Sequence, residues 1–356
     1  MKKSKIILAA LPPITAFLLM TALLVMADPA VVDAQPGALP AKDAYLGEAR
    51  PGDTPRMFAP GRISDGMANR DMAISPSGKE VFYTLQSPGG QISQILYCHW
   101  TGGAWSGPEV APFSGKYSDL EPAFSYDGNT LFFASNRPAH RSDGGASLAA
   151  AEPKKDFDIW MVKREKGHWG RPTRLDTVIN SEKDEYYPSV ARNGNLYFTR
   201  VMENGKGKED IAISEWKDGR YQVAYSVPGG VNTEHFEFNA FVDPDERYLL
   251  FSSFGRKEDI GGGDLYLSYK NDQGEWMPAI HLDSTINSTA LDFSPYVSPD
   301  KKYLFFTSER MKAHTPFAQP VNFAWLKGLL TGPGNGLNDI YWMDWPSLLK
   351  KYIHDR

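Results

Sequence analysis

Acid, guanidinium and acid recur in one order along this chain. The sets are Asp119, Arg137 and Asp158; Glu185, Arg200 and Asp210; Glu237, Arg256 and Asp264; and Asp292, Arg310 and Asp339. A guanidinium presents a planar fork of donors suited to paired carboxylates, so each set reads first as an arginine bridging the two acids around it. An earlier stretch carries Asn69 and Gln94 at the acidic positions and Thr84-Leu85-Gln86 in place of the arginine. Acids and base are lost together, which says that the three positions interact. The alternative is a polar ring that binds a cation or a cationic ligand. Hard cations such as Ca²⁺ want their carboxylates clustered in one loop, and one acid per set matches that poorly. No cofactor is expected on this reading, and a divalent cation is the alternative.

Other chemistry is thin. His140, His235 and His314 fall in loops and lack the spacing of a metal site. There is no G-x-S-x-G elbow, and Gly261-Gly262-Gly263 precedes a strand where a phosphate loop needs a helix. The lone Cys98 offers no internal disulfide. Lys2, Lys3 and Lys5 precede an apolar run, Ile6–Met26, with a small-residue boundary at Ala27, the pattern of an export signal over 1–27. An uncleaved membrane anchor is its alternative, although Pro12-Pro13 would interrupt such a helix. Removing the segment takes the formal net charge from −5 to −8, which argues against nucleic acid and anionic membrane as partners.

The elements that position the charges are repeats. ALDFSPYVSPDKKYLFFTSER (290–310) reads as a short strand, a tight turn at Ser298-Pro299-Asp300 and an aromatic second strand. The same hairpin recurs over 119–137, 185–200 and 237–256 and, more loosely, over 69–84. A third strand follows, opening Asp-Ile or Asp-Leu at Asp158, Asp210, Asp264 and Asp339. A fourth carries aromatic residues and proline, as in Trp105 to Pro108 and Trp169 to Pro172. Proline within a sheet belongs on an edge, so these read as outermost strands. Four antiparallel strands per repeat, stacked radially, make an all-β fold, a β-propeller. The Ser-Pro-Asp hairpin followed by Asp-Ile-Tyr resembles the TolB-type WD40-like (PD40) propeller repeat over about residues 56–345. That resemblance implies the fold and leaves function open, because one fold hosts many functions.

Five repeats predict five blades, with a degenerate sixth as the alternative. RMFAPGRI (56–63) resembles a fourth strand yet precedes any complete repeat, and the last repeat stops after its third strand. The expectation is a ring in which this N-terminal strand completes the last blade and leaves no open sheet edge. Residues 28–55 read as a flexible tether, 56–345 as the propeller and 346–356 as a C-terminal helix begun by Pro346. Two insertions, 138–157 and 311–338, fall between second and third strands and so on one face. The second holds VNFAWLKGLLTG, read as a short apolar helix with Trp325, stopped by Gly332. Such a helix is normally a plug packed on its own face, and its alternative is a docking element. The two insertions are expected to wall a groove over the first blade.

The function expected is therefore an exported, periplasmic or secreted, non-catalytic propeller. It presents its loop-rich face, ringed by the residues named above, to an envelope or extracellular protein or glycan. The alternative is a carbohydrate-active enzyme on the same face. Propeller-type oligogalacturonate lyases are similar in holding a divalent metal with several histidines, a role that would here fall to His140, His235 and His314.

Overall fold

The computed structural model describes residues 39, 42–138 and 153–353. The segment read as an export signal, His140 and most of the first insertion lie outside the described residues. Five four-stranded antiparallel sheets are arranged as the blades of a propeller. Blade 1 is built from Ala68–Ile74, Glu80–Gln86, Ser93–His99 and Glu109–Val110. Blade 2 comprises Asp119–Phe124, Thr130–Ser135, Asp158–Glu165 and Thr173–Arg174, and blade 3 Glu185–Val190, Leu196–Arg200, Asp210–Ser214 and Tyr225–Ser226. Blade 4 is Phe236–Val242, Tyr248–Phe254, Asp264–Tyr269 and Ile280–His281. Blade 5 takes Asp292–Val297, Tyr303–Ser308 and Asp339–Asp344 from the C-terminal part and Arg56–Met57 from the N-terminal part.

That last pairing closes the ring as expected, with Arg56 opposite Trp342 and Met57 opposite Tyr341. The first strands contact one another in chain order, and blade 5 meets blade 1. The apolar core is five wedges, one at each blade-to-blade seam. At the closing seam Met72, Val81 and Tyr83 meet Phe305, Ile340 and Trp342. The other four seams are filled in the same manner. A second strand thus has a neighbouring blade on both faces, which is why LFFA, LYF, YLLF and YLFF are unbroken apolar runs.

Each first strand also carries a bulge that its sequence does not announce. Register shifts in all five, and the bulged residue has left-handed φ: Asp71 (54°), Glu121 (60°), Tyr187 (50°), Asn239 (53°) and Ser294 (51°). None is glycine, so each costs on the order of 1–3 kcal/mol of local strain that the surroundings must hold. The hold is visible. The bulge N–H of Asp71 donates to Thr307 Oγ1 (3.2 Å), that of Glu121 to Thr84 Oγ1 (3.0 Å) and that of Asn239 to Thr199 Oγ1 (2.9 Å), each threonine lying on the second strand of the preceding blade.

Two expectations are corrected. The aromatic-and-proline segments are not the outermost strands. Trp169 pairs with the extended third strand, and Trp105 and Trp276 form single bridges; the outermost strands begin after the prolines, which never enter a ladder. Within the segment read as a tether, residues 42–55 pack on blade 5. Leu46 is buried in the closing wedge, and Tyr45 lies edge-on to Tyr303 at 5.0 Å while its hydroxyl donates to Asp300 Oδ1 at 2.5 Å. Its Pro- and Gly-rich composition hides one aromatic anchor. The C-terminal helix spans Trp345–Tyr352, with Pro346 in its first turn and Asp344 capping Ser347 N–H at 2.9 Å. Among the described residues no helix is long and apolar enough to cross a membrane.

Phe58 follows the closing strand and is fully buried, its ring 5.2 Å from Phe305 and 5.1 Å from Trp342. Phe58→Ala should lower the unfolding free energy by about 3–5 kcal/mol in a urea titration. A loss under about 1 kcal/mol would show that this strand does not hold the ring shut.

Candidate functional site

The acid that opens each first strand is fully buried in blades 2 to 5. Arg137 Nη2 lies 2.5 Å from Asp119, Arg256 Nη2 2.8 Å from Glu237 and Arg310 Nη2 2.7 Å from Asp292. The same nitrogen donates to a connector carbonyl, Phe113 O (3.1 Å), Val231 O (2.6 Å) and Ile286 O (2.6 Å) respectively. In blade 3 the pair is looser, with Arg200 Nε 3.7 Å from Glu185 and Nη1 donating to Ile179 O at 3.3 Å. A hydroxyl four or five residues earlier also donates to each acid: Ser114, Ser181, Thr233 and Ser288. Burial pushes the Glu185 carboxyl up to about 7, against the hydrogen bonds from Ser181.

The arginine does not bridge to the acid that opens the third strand, as its placement between two acids implied. That second acid has its own partners. Asp158 takes Arg174 in both oxygens (2.8 and 2.7 Å) and Lys154 at 2.6 Å. Asp210 takes Ser226 Oγ (2.6 Å) and the N–H groups of Lys206 and Gly207. Asp264 takes His281 Nε2 (2.7 Å) and the N–H groups of Ile260 and Gly261. Asp339 accepts from Gly334 N–H at 2.7 Å through one oxygen. Burial, together with the charge of nearby Asp65, pushes its carboxyl up to about 6 against that bond and the charge of Lys312. The fourth-strand partners were missed from sequence because that strand is only two residues long and carries Arg174, Ser226 or His281 in turn.

A second cluster lies at the axis, where the bulges converge. Arg70 Nε is 2.9 Å from Asp71 and its Nη2 2.7 Å from Glu121, with its guanidinium over the Phe293 ring at 4.9 Å. Ser294 Oγ donates to Asp71 (2.6 Å), Asn239 Nδ2 to Ser294 (2.7 Å), and Tyr187 OH to Pro295 O (2.9 Å). Glu121 accepts the bulge N–H of Tyr187 at 2.7 Å. It does so because blade 2 has Ala134 where blades 1, 3 and 5 carry Thr84, Thr199 and Thr307. Burial pushes its carboxyl up while Arg70 opposes that shift. Two carboxylates and a guanidinium at a ring axis could do acid–base work, but here all are spent on backbone and on one another.

The exposed chemistry is elsewhere. Helix α1, Phe323–Thr331, forms as expected, capped by Asn322 and ended at Gly332. It is not a buried plug. Only Leu329 is buried, while Phe323 (80%), Leu330 (58%) and Trp325 (44%) are exposed. Trp325 meets Phe317 edge-to-face at 5.0 Å. His314 is exposed nearby, and His235 lies 3.8 Å from Glu234. Among the described residues no group of three or more His, Cys, Asp and Glu is placed to hold a metal. A cleft of about 640 Å³ opens between blades 2 and 3, lined by Tyr126, Arg192, Trp216 and Tyr221. Trp216 and Tyr221 sit 4.7 Å apart on the hairpin between third and fourth strands of blade 3, and Arg192 stacks on Tyr126 at 4.0 Å. The signal for it was Asp218-Gly219, in register with Lys166-Gly167 of blade 2, and its Tyr221 takes the place of Trp169 there.

No family model and no curated protein matches the chain. Among solved structures it is similar to TolB from Acinetobacter baumannii at 12% identity and a TM-score of 0.44, covering 78% of this chain and 57% of that one. A glycoside hydrolase is similar at 11% identity and a TM-score of 0.48, covering 82% and 91%. CoXyl43, a GH43 β-xylosidase/α-arabinofuranosidase from a compost microbial metagenome, is similar at 12% and 0.46, covering 82% and 94%. This chain thus spans little more than half the length of that TolB.

Arg137→Met strands Asp119 without its charge partner and should lower stability by about 3–5 kcal/mol in a denaturant titration. Adding Asp119→Leu should recover most of the loss, and failure to recover would deny that the pair is the reason. Glu185 has a folded pKa above its ordinary 4.5, so its contribution favours the native state in acid and fades as pH rises through about 7. Glu185→Gln should remove that part of the decline between pH 4.5 and 7 when stability is compared with the unaltered protein. Parallel pH profiles would place the carboxyl at its ordinary value.

Proposed function

We propose that this chain is an exported, non-catalytic binding propeller of the TolB-type repeat class, which presents the face carrying α1 to an envelope or extracellular protein. The repeats from 69 to 310 support the class, and the Lys-led apolar segment at 1–27 supports export to the periplasm or beyond. The observation that carries the binding role is α1 itself. Phe323, Trp325 and Leu330 leave three large apolar side chains in water on one short helix, where monomeric surfaces seldom group them. The helix is mounted between Ser308 and Asp339, whose strands pair along their whole length, so the ridge rides on a rigid support. The axial carboxylates speak against catalysis as the first reading, since Asp71 and Glu121 are buried and hydrogen-bonded within the ring.

A carbohydrate-active protein is the second reading, favoured by the aromatic cleft of Trp216, Tyr221 and Tyr126 and by the Arg70, Asp71 and Glu121 cluster. One paired experiment separates the two. The mature protein and the Phe323→Asp/Leu330→Asp variant are crosslinked in envelope extract, and both are assayed for sugar release from a polysaccharide panel. The binding role predicts one stoichiometric protein partner, lost in the variant at unchanged thermal midpoint, and no turnover. Sugar release abolished by Glu121→Gln, with crosslinking unaffected by the α1 changes, would overturn it.

A further inference from the structure

Four of the five seams between blades share one device. An arginine at the end of a second strand binds both the buried acid that opens its blade and the carbonyl of the preceding connector, as described for Arg137, Arg200, Arg256 and Arg310. The connector then contributes a hydroxyl to the acid, from Ser181, Thr233 or Ser288, each following an asparagine that caps the previous third strand. At the seam between blades 5 and 1 the parts are exchanged. Ser64 caps Ile340, so the residue after it, Asp65, stands where the hydroxyl should be. Asn69 stands where the acid should be, and its Nδ2 donates to Asp65 Oδ1 at 2.8 Å. No arginine follows: the strand ends Leu85-Gln86-Ser87, and Gln86 turns to Ser93 at 2.9 Å.

This seam therefore has two carboxylates, Asp65 and Asp339, and among the described residues no direct ion pair to either; the nearby Lys312 ammonium, whose charge reaches Asp339, donates instead to Pro333 O at 2.9 Å. It also gathers oxygens that accept no hydrogen bond there: Asn69 Oδ1, Asn338 Oδ1 and Asp339 Oδ1. All three residues are more than nine-tenths buried. Asn69 cannot relieve its oxygen by turning its amide over, because Nδ2 already serves Asp65 and Met67 O. Asp339 lacks the fourth-strand partner that Asp158, Asp210 and Asp264 have, since Met57 occupies that register position. The two segments are pressed together by Asn69 N–H to Asn338 O at 2.7 Å and Asn335 Nδ2 to Gly66 O at 2.9 Å.

We propose that a calcium ion, held by the side-chain oxygens of Asp339, Asn69, Asn338 and Asp65, takes at the closing seam the place an arginine takes at the other four. Carboxylate and carboxamide oxygens from two adjoining loops are the donor set that a hard divalent cation uses, and the charge of two carboxylates balances it. Buried oxygens without a donor each carry a desolvation cost, which such an ion would remove. The ion would also link residues 65–69 to 338–339, the two ends of the propeller.

The test uses the full exported chain, stripped with EDTA and titrated with CaCl₂ alone, read by calorimetry and by thermal midpoint. One equivalent should bind and raise the midpoint, with MgCl₂ weaker. Asp339→Asn should weaken binding by about 10-fold or more. Asn69→Asp, which adds a ligand charge, should tighten it. Asn69→Asp with Ser87→Arg rebuilds the arginine seam and should abolish the calcium response while the chain remains folded. Absence of heat and of any midpoint shift in the unaltered protein, or an unchanged calcium response in Asp339→Asn, would overturn the assignment.

Discussion

A carboxylate buried where one blade meets the next is the constraint around which this ring is arranged. Taking such a group out of water costs several kcal/mol, and the cost is offset only by near-complete hydrogen bonding and an opposite charge. The chain meets that demand with groups from two places: a hydroxyl from the connector, and a guanidinium from the second strand that also donates to a connector carbonyl. Satisfying the charge therefore also sets the connector against the blade. The wedge of apolar side chains at each seam fills space without specifying direction, whereas the arginine fork specifies how one blade is turned relative to its neighbour.

The axis shows the same economy with a different device. Five left-handed residues that are not glycine would be an improbable strain in isolation. Each bulge turns an N–H out of its own ladder, and the preceding blade accepts it with a threonine in three cases. Where that threonine is Ala134, the acceptor comes instead from Glu121, one blade away from Tyr187. A buried carboxylate beside an arginine at the centre of a propeller invites a catalytic interpretation. The substitution of Glu121 for a missing threonine supplies a sufficient structural reason for it, and Arg70 supplies its counter-charge.

Much of this was legible in the sequence because repeats expose their own exceptions. The hairpins, the third strands and the closing strand at Arg56–Met57 follow from periodicity, from one surplus strand before the first repeat and from one missing in the last. The pairing of Arg137 with Asp119 and of Arg310 with Asp292 follows from their joint recurrence. What recurrence cannot tell is which of two acids the arginine takes. The answer depends on fourth strands of two residues, whose Arg174, Ser226 and His281 have no common type to align. The bulges were hidden for a related reason, since Asp71, Glu121, Tyr187, Asn239 and Ser294 share a conformation and no chemistry. Tyr45 was hidden by its neighbours, a single anchoring ring inside a stretch of proline, alanine and glycine.

An architecture that consumes its repeated charges leaves function to what does not repeat. Most of the acids and arginines that look like a binding ring are bound to one another or to backbone, and so the ring's inner face offers a ligand little that is unspent. The departures from the repeat are different in kind. Helix α1 adds apolar surface that no seam requires, and the closing seam trades a fixed guanidinium for unpartnered oxygens. A guanidinium is covalently part of the chain and always charged, so four seams carry their own cation. The fifth joins the two ends of the propeller and alone lacks such a group, so what holds it must come from elsewhere than a guanidinium.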